Sequence, residues 1–308
     1  MKILLVAGGS GGHIYPCLEM AKFLKQMGHE VLLSGIKGSS EEKIYFMNNL
    51  NFIGLDINRK KIKSYLINRK SIRKIYKEFN PDKLFLFGNY ISFSFAIEAI
   101  ITRIPIYLHE QNVIYGRANL LIGLFAKKIY LSLPIKKDFY KTKSLLVGNP
   151  KSDQYVTSMQ FSNRYNVVIV MGSLGSTSMN KIFKELIDIA DSNISFHIIT
   201  GKKYYDEFIK KISDKINIYC YPYIDNLASY IKSCDLLITR AGATTISEIL
   251  VHQVASIIIP SPYVKNNHQY LNAKYLADNN ACILLQEKNL TASKLNNLIN
   301  ETMQDYSK

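Results

Sequence analysis

Short apolar runs alternate along the chain with longer segments whose apolar residues recur at helical spacing. The first run, Lys2–Ala7, is almost continuously apolar, as expected for a central strand of a parallel sheet. The glycine-rich stretch Gly8–His13 follows it. Helical spacing then predicts a helix that Pro16 opens and Gly28 closes. A strand, a glycine loop and a helix in this order are typical of a nucleotide-binding α/β fold.

A second copy of this pattern begins at Asn166, after a polar stretch. Its first strand is followed by another glycine loop, Gly172–Ser176, and by a further helix. A chain of 308 residues is long enough for two α/β domains. We therefore predict two Rossmann-like domains with parallel sheets, residues 1–150 and 165–308, joined by a linker at 151–164. Glycine loops in both domains predict a central cleft that the two sheets face and that binds a phosphorylated ligand.

The stretch Asp235–Glu248 organises the second domain. Asp235–Thr239 is a short apolar run typical of a buried strand, Gly242 interrupts it, and a run with helical spacing follows. A helix that begins after a tight glycine loop presents free backbone N–H groups and the positive end of its dipole to an anion. Glu248, about one turn into the helix, can accept two hydrogen bonds from a diol such as ribose. An ordinary turn, with Glu248 as a favourable acid near a helix start, is the alternative that this stretch leaves open.

Two histidines lie next to predicted strand ends. His13 stands where the first glycine loop meets its helix, and a helix N-terminus favours the neutral imidazole that a general base needs. A histidine that only caps or packs the loop is the alternative. His109 opens the polar run His109–Asn112 at the end of another predicted strand. Because the carboxyl ends of parallel strands line the ligand crevice of open α/β sheets, we expect this run near the site.

The net charge of +15 is concentrated in the first half of the chain. Residues 1–150 hold 23 Lys and Arg against 10 Asp and Glu, whereas the remainder holds 16 against 14. This asymmetry predicts an anionic partner for the first domain. Residues 59–77 contain nine Lys or Arg and no acid, which fits a basic amphipathic helix on an anionic membrane surface. The alternative is a solvated face whose apolar stripe packs on the sheet.

Several classes of protein are disfavoured by composition. No helix-turn-helix, RNP or zinc-finger pattern accompanies the positive charge, so we expect no nucleic acid partner. The chain lacks a long uncharged apolar run and begins directly with a strand, so we expect neither a transmembrane helix nor a signal peptide. The four cysteines are scattered, without a CxxC pair, and predict reduced thiols rather than disulfides or metal ligands.

Six motifs stand in order along nearly the whole chain: GGSGGH, HEQN, GNP, MGSLGS, TRAGATTISE and NHQYLNA. In this order they resemble the MurG family, the UDP-GlcNAc:lipid I N-acetylglucosaminyltransferases of glycosyltransferase family 28. The resemblance implies an enzyme with a GT-B fold that transfers GlcNAc from UDP-GlcNAc, with inversion, to the MurNAc 4-hydroxyl of lipid I. Lipid I is undecaprenyl-diphospho-MurNAc-pentapeptide, an intermediate of peptidoglycan synthesis. The resemblance also implies no metal and no cofactor, and the chain holds no DxD motif of the kind that binds a metal.

The resemblance assigns roles to residues of the first domain. Ser10, Gly11 and Gly12 would approach the donor sugar and its diphosphate. Asn112 would hold the GlcNAc ring. His13 would be the base that activates the 4-hydroxyl of the acceptor.

The resemblance also assigns the donor contacts of the second domain. Ser173 would contact the diphosphate, and Ile224 would recognise uracil through its backbone. Glu248 would accept hydrogen bonds from the ribose hydroxyls, and Gln269 would bind a sugar hydroxyl. The residues that would line the helix N-terminus at the phosphates are Ala243, Thr244, Thr245, Ile246 and Ser247.

The partners that the resemblance implies are UDP-GlcNAc, lipid I and an anionic membrane surface. Other cell-wall synthesis proteins are further possible partners that the resemblance implies. The expected location is peripheral, on the cytoplasmic face of the cell membrane, because the lipid-linked acceptor lies there.

The chain departs from the family pattern at several positions. Lys151 and Ser152 follow GNP where the family usually has Arg, Leu174 replaces a Gln, and Gly88-Asn89 is one glycine short of the usual pair. These departures motivate an alternative, a sugar-nucleotide-binding protein whose catalysis has decayed. A second alternative keeps a GT-B glycosyltransferase but gives it a different lipid acceptor, because the acceptor contacts lie in the first domain.

Overall fold

The computed structural model describes residues 1–57, 68–153, 156–161, 165–172, 176–212 and 215–305. The chain divides into two compact units, Met1–Gln154 and Tyr155–Lys308. Each unit contains one parallel sheet flanked by helices. The two parallel-sheet α/β units that the sequence pattern predicts are therefore confirmed.

Unit 1 alternates strands and helices as the apolar pattern predicts. Its strands are β1 (Lys2–Val6), β2 (Glu30–Ile36), β3 (Phe52–Leu55), β4 (Lys83–Leu86), β5 (Ile106–Glu110), β6 (Lys128–Leu131) and β7 (Ser144–Leu146). Its α-helices are α1 (Gly11–Gln26), α2 (Ser40–Met47), α3 (Arg69–Phe79), α4 (Asn89–Thr102) and α5 (Arg117–Ile122). A short 3-10 helix, Pro150–Asp153, follows β7. All strand pairs are parallel, in the order β3-β2-β1-β4-β5-β6-β7.

Unit 2 repeats this arrangement. Its strands are β8 (Tyr165–Val170), β9 (Ile194–Ile199), β10 (Ile218–Tyr221), β11 (Leu236–Thr239), β12 (Ser256–Ile258) and β13 (Ile283–Leu284). Its α-helices are α6 (Thr177–Ile189), α7 (Tyr205–Ile212), α8 (Leu227–Ser233), α9 (Ala243–His252), α10 (His268–Asp278) and α11 (Ala292–Asp305). The parallel order is β10-β9-β8-β11-β12-β13. In each sheet the strand order reverses beside the first strand, and such a reversal is where open α/β sheets bind ligands.

The central strand of unit 1 is buried on both faces, because successive side chains of a strand point to opposite sides. Leu4 and Val6 pack in one hydrophobic cluster with residues of α3, α4 and α5. Leu5 packs in the cluster on the other face with residues of α1 and α2. This two-sided burial explains the almost continuous apolar run at the start of the chain.

Helix α1 begins at Gly11, so the prediction that Pro16 opens it is wrong. Ser10 has extended backbone angles, and its carbonyl accepts the N–H groups of His13 and Ile14, which closes the first turn. Pro16 lies in the second turn, where it cannot donate the helical hydrogen bond to the Gly12 carbonyl. The second half of the glycine loop is therefore the first turn of the helix. Gly28, with φ +80°, follows its end as predicted.

The basic stretch 59–77 is described from residue 68 onward, and residues 59–67 lie outside the described residues. In α3 the apolar stripe, Ile72, Ile75 and Tyr76, is buried against the sheet. Arg73 and Arg69 lie 3.0 and 3.8 Å from the carboxylate of the buried Glu98 on α4. For α3 the structure therefore favours an apolar stripe that serves the core, with part of its positive charge paired within the protein.

Candidate active site

The first glycine loop brings a serine and a histidine together at the carboxyl end of β1. Ser10 is the N-cap of α1, and its Oγ lies 3.1 Å from His13 Nδ1, within hydrogen-bond distance. Gly11 and Gly12 form the first residues of α1, where backbone N–H groups have no partner inside the helix. Ser10, Gly11, Gly12 and His13 thus share one helix N-terminus, as the glycine motif predicts.

The loop after β4 lies against this histidine. Gly88 has φ +98°, and a Cβ built on it would lie 3.1 Å from His13 Cδ2 and 3.2 Å from His13 Nε2. Glycine at this position therefore leaves room for the His13 ring and also meets the backbone conformation. The loops that follow β1 and β4, which are neighbours in the sheet, together hold the half-buried imidazole.

His109 is buried at the carboxyl end of β5, and both of its ring nitrogens have hydrogen-bond partners. Gln111 Nε2 lies 3.1 Å from His109 Nδ1, and because an amide nitrogen can only donate, Nδ1 accepts. His109 Nε2 then carries the proton, 3.3 Å from the Gly148 carbonyl and 3.1 Å from Ser132 Oγ. Burial, together with the nearby His13, lowers the pKa of His109 to about 4, against a weaker opposing effect of the Gly148 carbonyl. His109 is therefore a neutral structural histidine near pH 7.

Glu110 organises the loop that carries Asn112. Its Oε1 accepts the Asn112 backbone N–H at 3.0 Å and the Asn112 side-chain amide at 3.2 Å. Its Oε2 accepts the Gly116 N–H and the Asn119 side chain, both at 2.9 Å. Burial raises the pKa of Glu110, and these donors oppose the rise. One buried carboxyl group therefore fixes both Asn112 and the start of α5.

Unit 2 carries a second helix N-terminus at the carboxyl end of β11. Helix α9 begins at Ala243 with Gly242 as its N-cap, so the predicted strand, glycine loop and helix are confirmed. The Ile246 N–H bonds to the Gly242 carbonyl at 2.9 Å. The N–H groups of Ala243, Thr244 and Thr245 lie before that bond, in the part of a helix that lacks internal partners. The first turn of α9 therefore has the groups of an anion site.

The side chains of α9 differ in whether they are available to bind a ligand. Ile246 is fully buried in the core, and the Ser247 hydroxyl donates to the Ala243 carbonyl at 3.0 Å. The Ile246 N–H is also bonded to the Gly242 carbonyl, so these two residues offer an anion less than Ala243 to Thr245 do. Thr244 Oγ1 is shielded from solvent and has no hydrogen-bond partner within the described ranges. Glu248 lies in the second turn and is buried.

The other predicted donor residues occupy loops and helix starts of unit 2. Ile224 lies half-buried between β10 and α8. Gln269 stands in the first turn of α10, and its Oε1 accepts the Ser261 N–H at 2.8 Å, so its amide nitrogen is the end that can donate to a ligand. Ser173, predicted at the diphosphate, and the nearby Leu174 lie outside the described residues.

The loop after GNP has a structural role in unit 1. The Ser152 hydroxyl donates to the Asn149 carbonyl at 2.8 Å, and the Lys151 N–H donates to Asn149 Oδ1 at 3.0 Å. Ser152 is buried and Lys151 half-buried. At the position of the family's usual Arg, the chain therefore offers a short hydroxyl that holds its own loop, next to a lysine.

Three residues with clear roles in this geometry are absent from the residues assigned by resemblance. They are Glu110, His109 and Arg240, of which the first two stand in the polar run at the end of β5. Arg240 follows β11 and is buried, with Nη1 2.9 Å from the Ile259 carbonyl. The sequence signal for Glu110 and His109 is a cluster of polar residues directly after a buried strand.

Two Rossmann-like units with these helix N-termini have the architecture of the GT-B fold. Residues 3–131 match the glycosyltransferase family 28 N-terminal domain, and residues 166–308 match the glycosyltransferase family 28 C-terminal domain. The chain belongs to glycosyltransferase family 28. The family resemblance, the fold and the enzyme class predicted from the sequence are thus confirmed.

The relatives cover both units. The UDP-N-acetylglucosamine–N-acetylmuramyl-(pentapeptide) pyrophosphoryl-undecaprenol N-acetylglucosamine transferase of Bacillus pumilus is 31% identical, over 98% of this chain and 90% of its own length. The enzyme of the same name from Thermosipho melanesiensis is 33% identical, again over 98% of this chain and 90% of its own length. The crystal structure of Acinetobacter baumannii MurG has a TM-score of 0.82 at 26% identity and covers 98% of this chain and 90% of that one.

Proposed function

We propose that this glycosyltransferase transfers GlcNAc from UDP-GlcNAc to the MurNAc 4-hydroxyl of lipid I, as the names of its relatives state for them. The observation that carries the proposal is the length of the match, since similarity to transferases of that name covers 98% of the chain. That range includes the loop with Ser10 and His13 and the start of α9.

Unit 2 would bind the donor. The diphosphate would lie at the first turn of α9, where the N–H groups of Ala243 to Thr245 and the Thr244 hydroxyl are placed to donate. Glu248 would accept hydrogen bonds from the ribose diol, and the Gln269 amide nitrogen would donate to a sugar hydroxyl. Ile224 would recognise uracil through its backbone. Ser173 remains a candidate diphosphate contact on sequence grounds alone.

Unit 1 would supply the base. The acceptor 4-hydroxyl oxygen attacks the anomeric carbon of GlcNAc, the bond from that carbon to the diphosphate oxygen breaks, and the hydroxyl proton passes to His13. Attack opposite the leaving group inverts the configuration. Ser10 would orient the His13 ring through Nδ1, Asn112 would hold GlcNAc, and Gly11 and Gly12 would let the substrate approach the backbone.

The leaving group needs stabilisation as negative charge grows on UDP. Fixed N–H groups at the start of α9 meet that need, because preorganised dipoles stabilise developing charge without reorganising. General-base help from His13 would contribute roughly 10²–10⁴-fold to the rate.

The proposal includes peripheral binding at an anionic, cytoplasmic membrane surface, where a lipid-linked acceptor is reached. Within the described part of the chain, no helix is long and apolar enough to cross a bilayer. Lys70 and Lys77 lie exposed on α3. Leu121 and Leu124, which are 54% and 62% exposed, add apolar surface at the end of α5. Exposed lysines and exposed apolar side chains are both features of surfaces that bind anionic lipid.

Sedimentation with liposomes tests this membrane role. Replacing Lys70 and Lys77 by Gln removes charge worth about 1 kcal/mol per residue near anionic lipid, so binding should weaken at low salt. Lys294→Gln, an exposed position on α11 of unit 2, is the control. Equal binding of all variants to anionic liposomes would contradict the role of α3.

The transfer itself is tested by incubating the enzyme with UDP-GlcNAc and a soluble lipid I analogue and identifying the product. The expected product is a GlcNAc–MurNAc disaccharide with a β linkage, detected by mass spectrometry and NMR coupling constants. Transfer only to a different lipid would replace the acceptor in the proposal. UDP-GlcNAc binding without any product would support the decayed binding protein, which the uncharged Ser152 beside the GNP motif favours.

A further inference from the structure

Four polar side chains form a closed ring at the carboxyl edge of the unit 2 sheet. Arg240 Nη2 donates to Ser176 Oγ at 2.8 Å, and Ser176 Oγ lies 3.3 Å from Ser178 Oγ. The Ser178 hydroxyl donates to Glu287 Oε1. Glu287 Oε2 closes the ring 2.7 Å from Arg240 Nη1. The four residues come from three separate segments: the end of β11, the start of α6 and the turn between β13 and α11.

The ring contains a nearly dry ion pair. The side chains of Arg240 and Glu287 are only 9% and 10% exposed. Arg240 also donates to the Ile259 carbonyl next to β12, so the guanidinium is fixed to the sheet. Removing one member of a buried pair leaves the other charge without compensation, so the ring depends on both residues.

The ring connects two helix N-termini. Ser176 is the N-cap of α6, yet its hydroxyl makes no capping bond to that helix and accepts from Arg240 instead. Arg240 lies two residues before Gly242, the N-cap of α9. Helices α6 and α9 follow β8 and β11, the adjacent strands between which the strand order reverses. The ring therefore fixes the start of α6 beside the start of α9, where the donor diphosphate would lie.

We propose that Glu287 is a positioning residue for the diphosphate of the donor, acting through Arg240 and Ser178. Glu287 orients the guanidinium and holds the first turn of α6, so that the N–H groups of both helix starts converge on one anion. This inference rests on the proposed function for the identity of the donor. It concerns affinity for UDP, which is measured without any acceptor.

Glu287→Ala breaks both contacts of the carboxylate. We expect the Kd for UDP and the KM for UDP-GlcNAc to rise about tenfold, with kcat within about twofold, because His13 lies outside the ring. Glu287→Gln keeps an oxygen that can accept from Arg240 and an amide that can donate to Ser178 but loses the charge, so its Kd should lie between those of wild type and Glu287→Ala. Glu301→Ala, an exposed position on α11, is the matched control and should leave both constants unchanged.

Titration calorimetry measures the Kd for UDP and decides between these outcomes. It needs no acceptor, so the test still holds if no transfer to lipid I is found. An unchanged Kd in Glu287→Ala would overturn the inference, as would a loss of kcat at constant KM. Should Glu287→Ala fail to fold, Ser178→Ala replaces it, because that change leaves the ion pair in place and removes only the contacts of the Ser178 hydroxyl with Glu287 and Ser176. A Kd for UDP about threefold higher in Ser178→Ala supports the positioning role, and an unchanged Kd contradicts it.

Discussion

The side-chain amide of Asn89 donates a hydrogen bond to the carbonyl of Gly8 at 2.8 Å, which ties the loop after β4 to the glycine loop after β1. Asn89 has φ +72°, a conformation in which Asn is one of the few favourable residues besides Gly. Gly9 has φ +94°, and a Cβ there would lie 2.1 Å from the Asn89 amide nitrogen. The residue that replaces a glycine of the family pattern is thus a bridge between the two loops around His13.

Two substitutions of Asn89 distinguish the contribution of its hydrogen bond to Gly8 from that of its left-handed backbone conformation. Asn89→Gly loses a hydrogen bond worth about 1 kcal/mol but keeps the left-handed conformation. Asn89→Ala loses the same bond and adds roughly 1 kcal/mol of backbone strain. We expect urea unfolding to rank the stabilities as wild type, Gly variant, Ala variant. An Ala variant as stable as the Gly variant would contradict the strain assigned to position 89.

His13 is expected to act on the chemical step. His13→Gln keeps a polar side chain but cannot accept the acceptor proton as imidazole does, so kcat should fall by roughly 10²–10⁴-fold. The KM for UDP-GlcNAc should change little, because His13 is not among the residues assigned to the donor. Steady-state kinetics with a soluble acceptor analogue gives both values.

Ser10→Ala is the matched control for His13. The Ser10→Ala change removes only the hydroxyl that lies 3.1 Å from His13 Nδ1. We therefore expect kcat to fall about tenfold, clearly less than in His13→Gln. If Ser10→Ala and His13→Gln were equally inactive, the loop geometry rather than the base would account for the loss.

Glu248 is expected to recognise the ribose diol. Wild type should bind UDP about tenfold more tightly than 2′-deoxy-UDP, because a charged acceptor loses one hydrogen bond. Glu248→Ala should bind both nucleotides with the same, weaker affinity. Calorimetric titration of both ligands into both proteins gives the four constants. Discrimination that persists in Glu248→Ala would assign the diol to another residue.

His109 is expected to make stability depend on pH. Its pKa is about 4 in the folded chain, whereas an unfolded histidine titrates near 6.5, so the unfolded state binds the extra proton between these values. Stability is therefore retained above the unfolded pKa and lost as pH falls from about 6.5 to about 4, by up to roughly 1.4 kcal/mol per pH unit. Burial lowers the pKa of His197 in unit 2 to about 4 as well, with the same sign.

The measurement is urea unfolding of wild type and His109→Gln at several values between pH 4.5 and pH 7.5. The variant should show a shallower loss of stability toward low pH, because one titrating group is gone. The same slope in both proteins would mean that His109 does not carry the titration.

Local patterns predicted the parts of the site that local physics decides. The strand, glycine loop and helix at 235–252 follow from apolar spacing and one interrupting glycine, and α9 begins where the pattern places it. The start of α1 was missed because Pro16 is a strong general signal for a first helical turn. The hydrogen bond that the Ile14 N–H donates to the Ser10 carbonyl instead places the helix start at Gly11.

Long-range pairings could not be read from the sequence. Nothing near Glu287 marks it as the partner of Arg240, since the contact exists only after the β13–α11 turn meets the end of β11. For the basic stretch 59–77, the sequence likewise left open whether the apolar stripe binds a membrane or packs on the sheet. Only the folded chain shows that Arg73 pairs with the buried Glu98 while Ile72 enters the core.

The most direct measurement is the rate of UDP release from UDP-GlcNAc with and without a soluble lipid I analogue, in wild type, His13→Ala and Glu248→Ala. We predict release that depends on the acceptor in wild type. It should fall by orders of magnitude in His13→Ala and be restored only by high donor concentration in Glu248→Ala. Wild-type protein that binds UDP-GlcNAc but releases no UDP when the acceptor is added would contradict the transferase function.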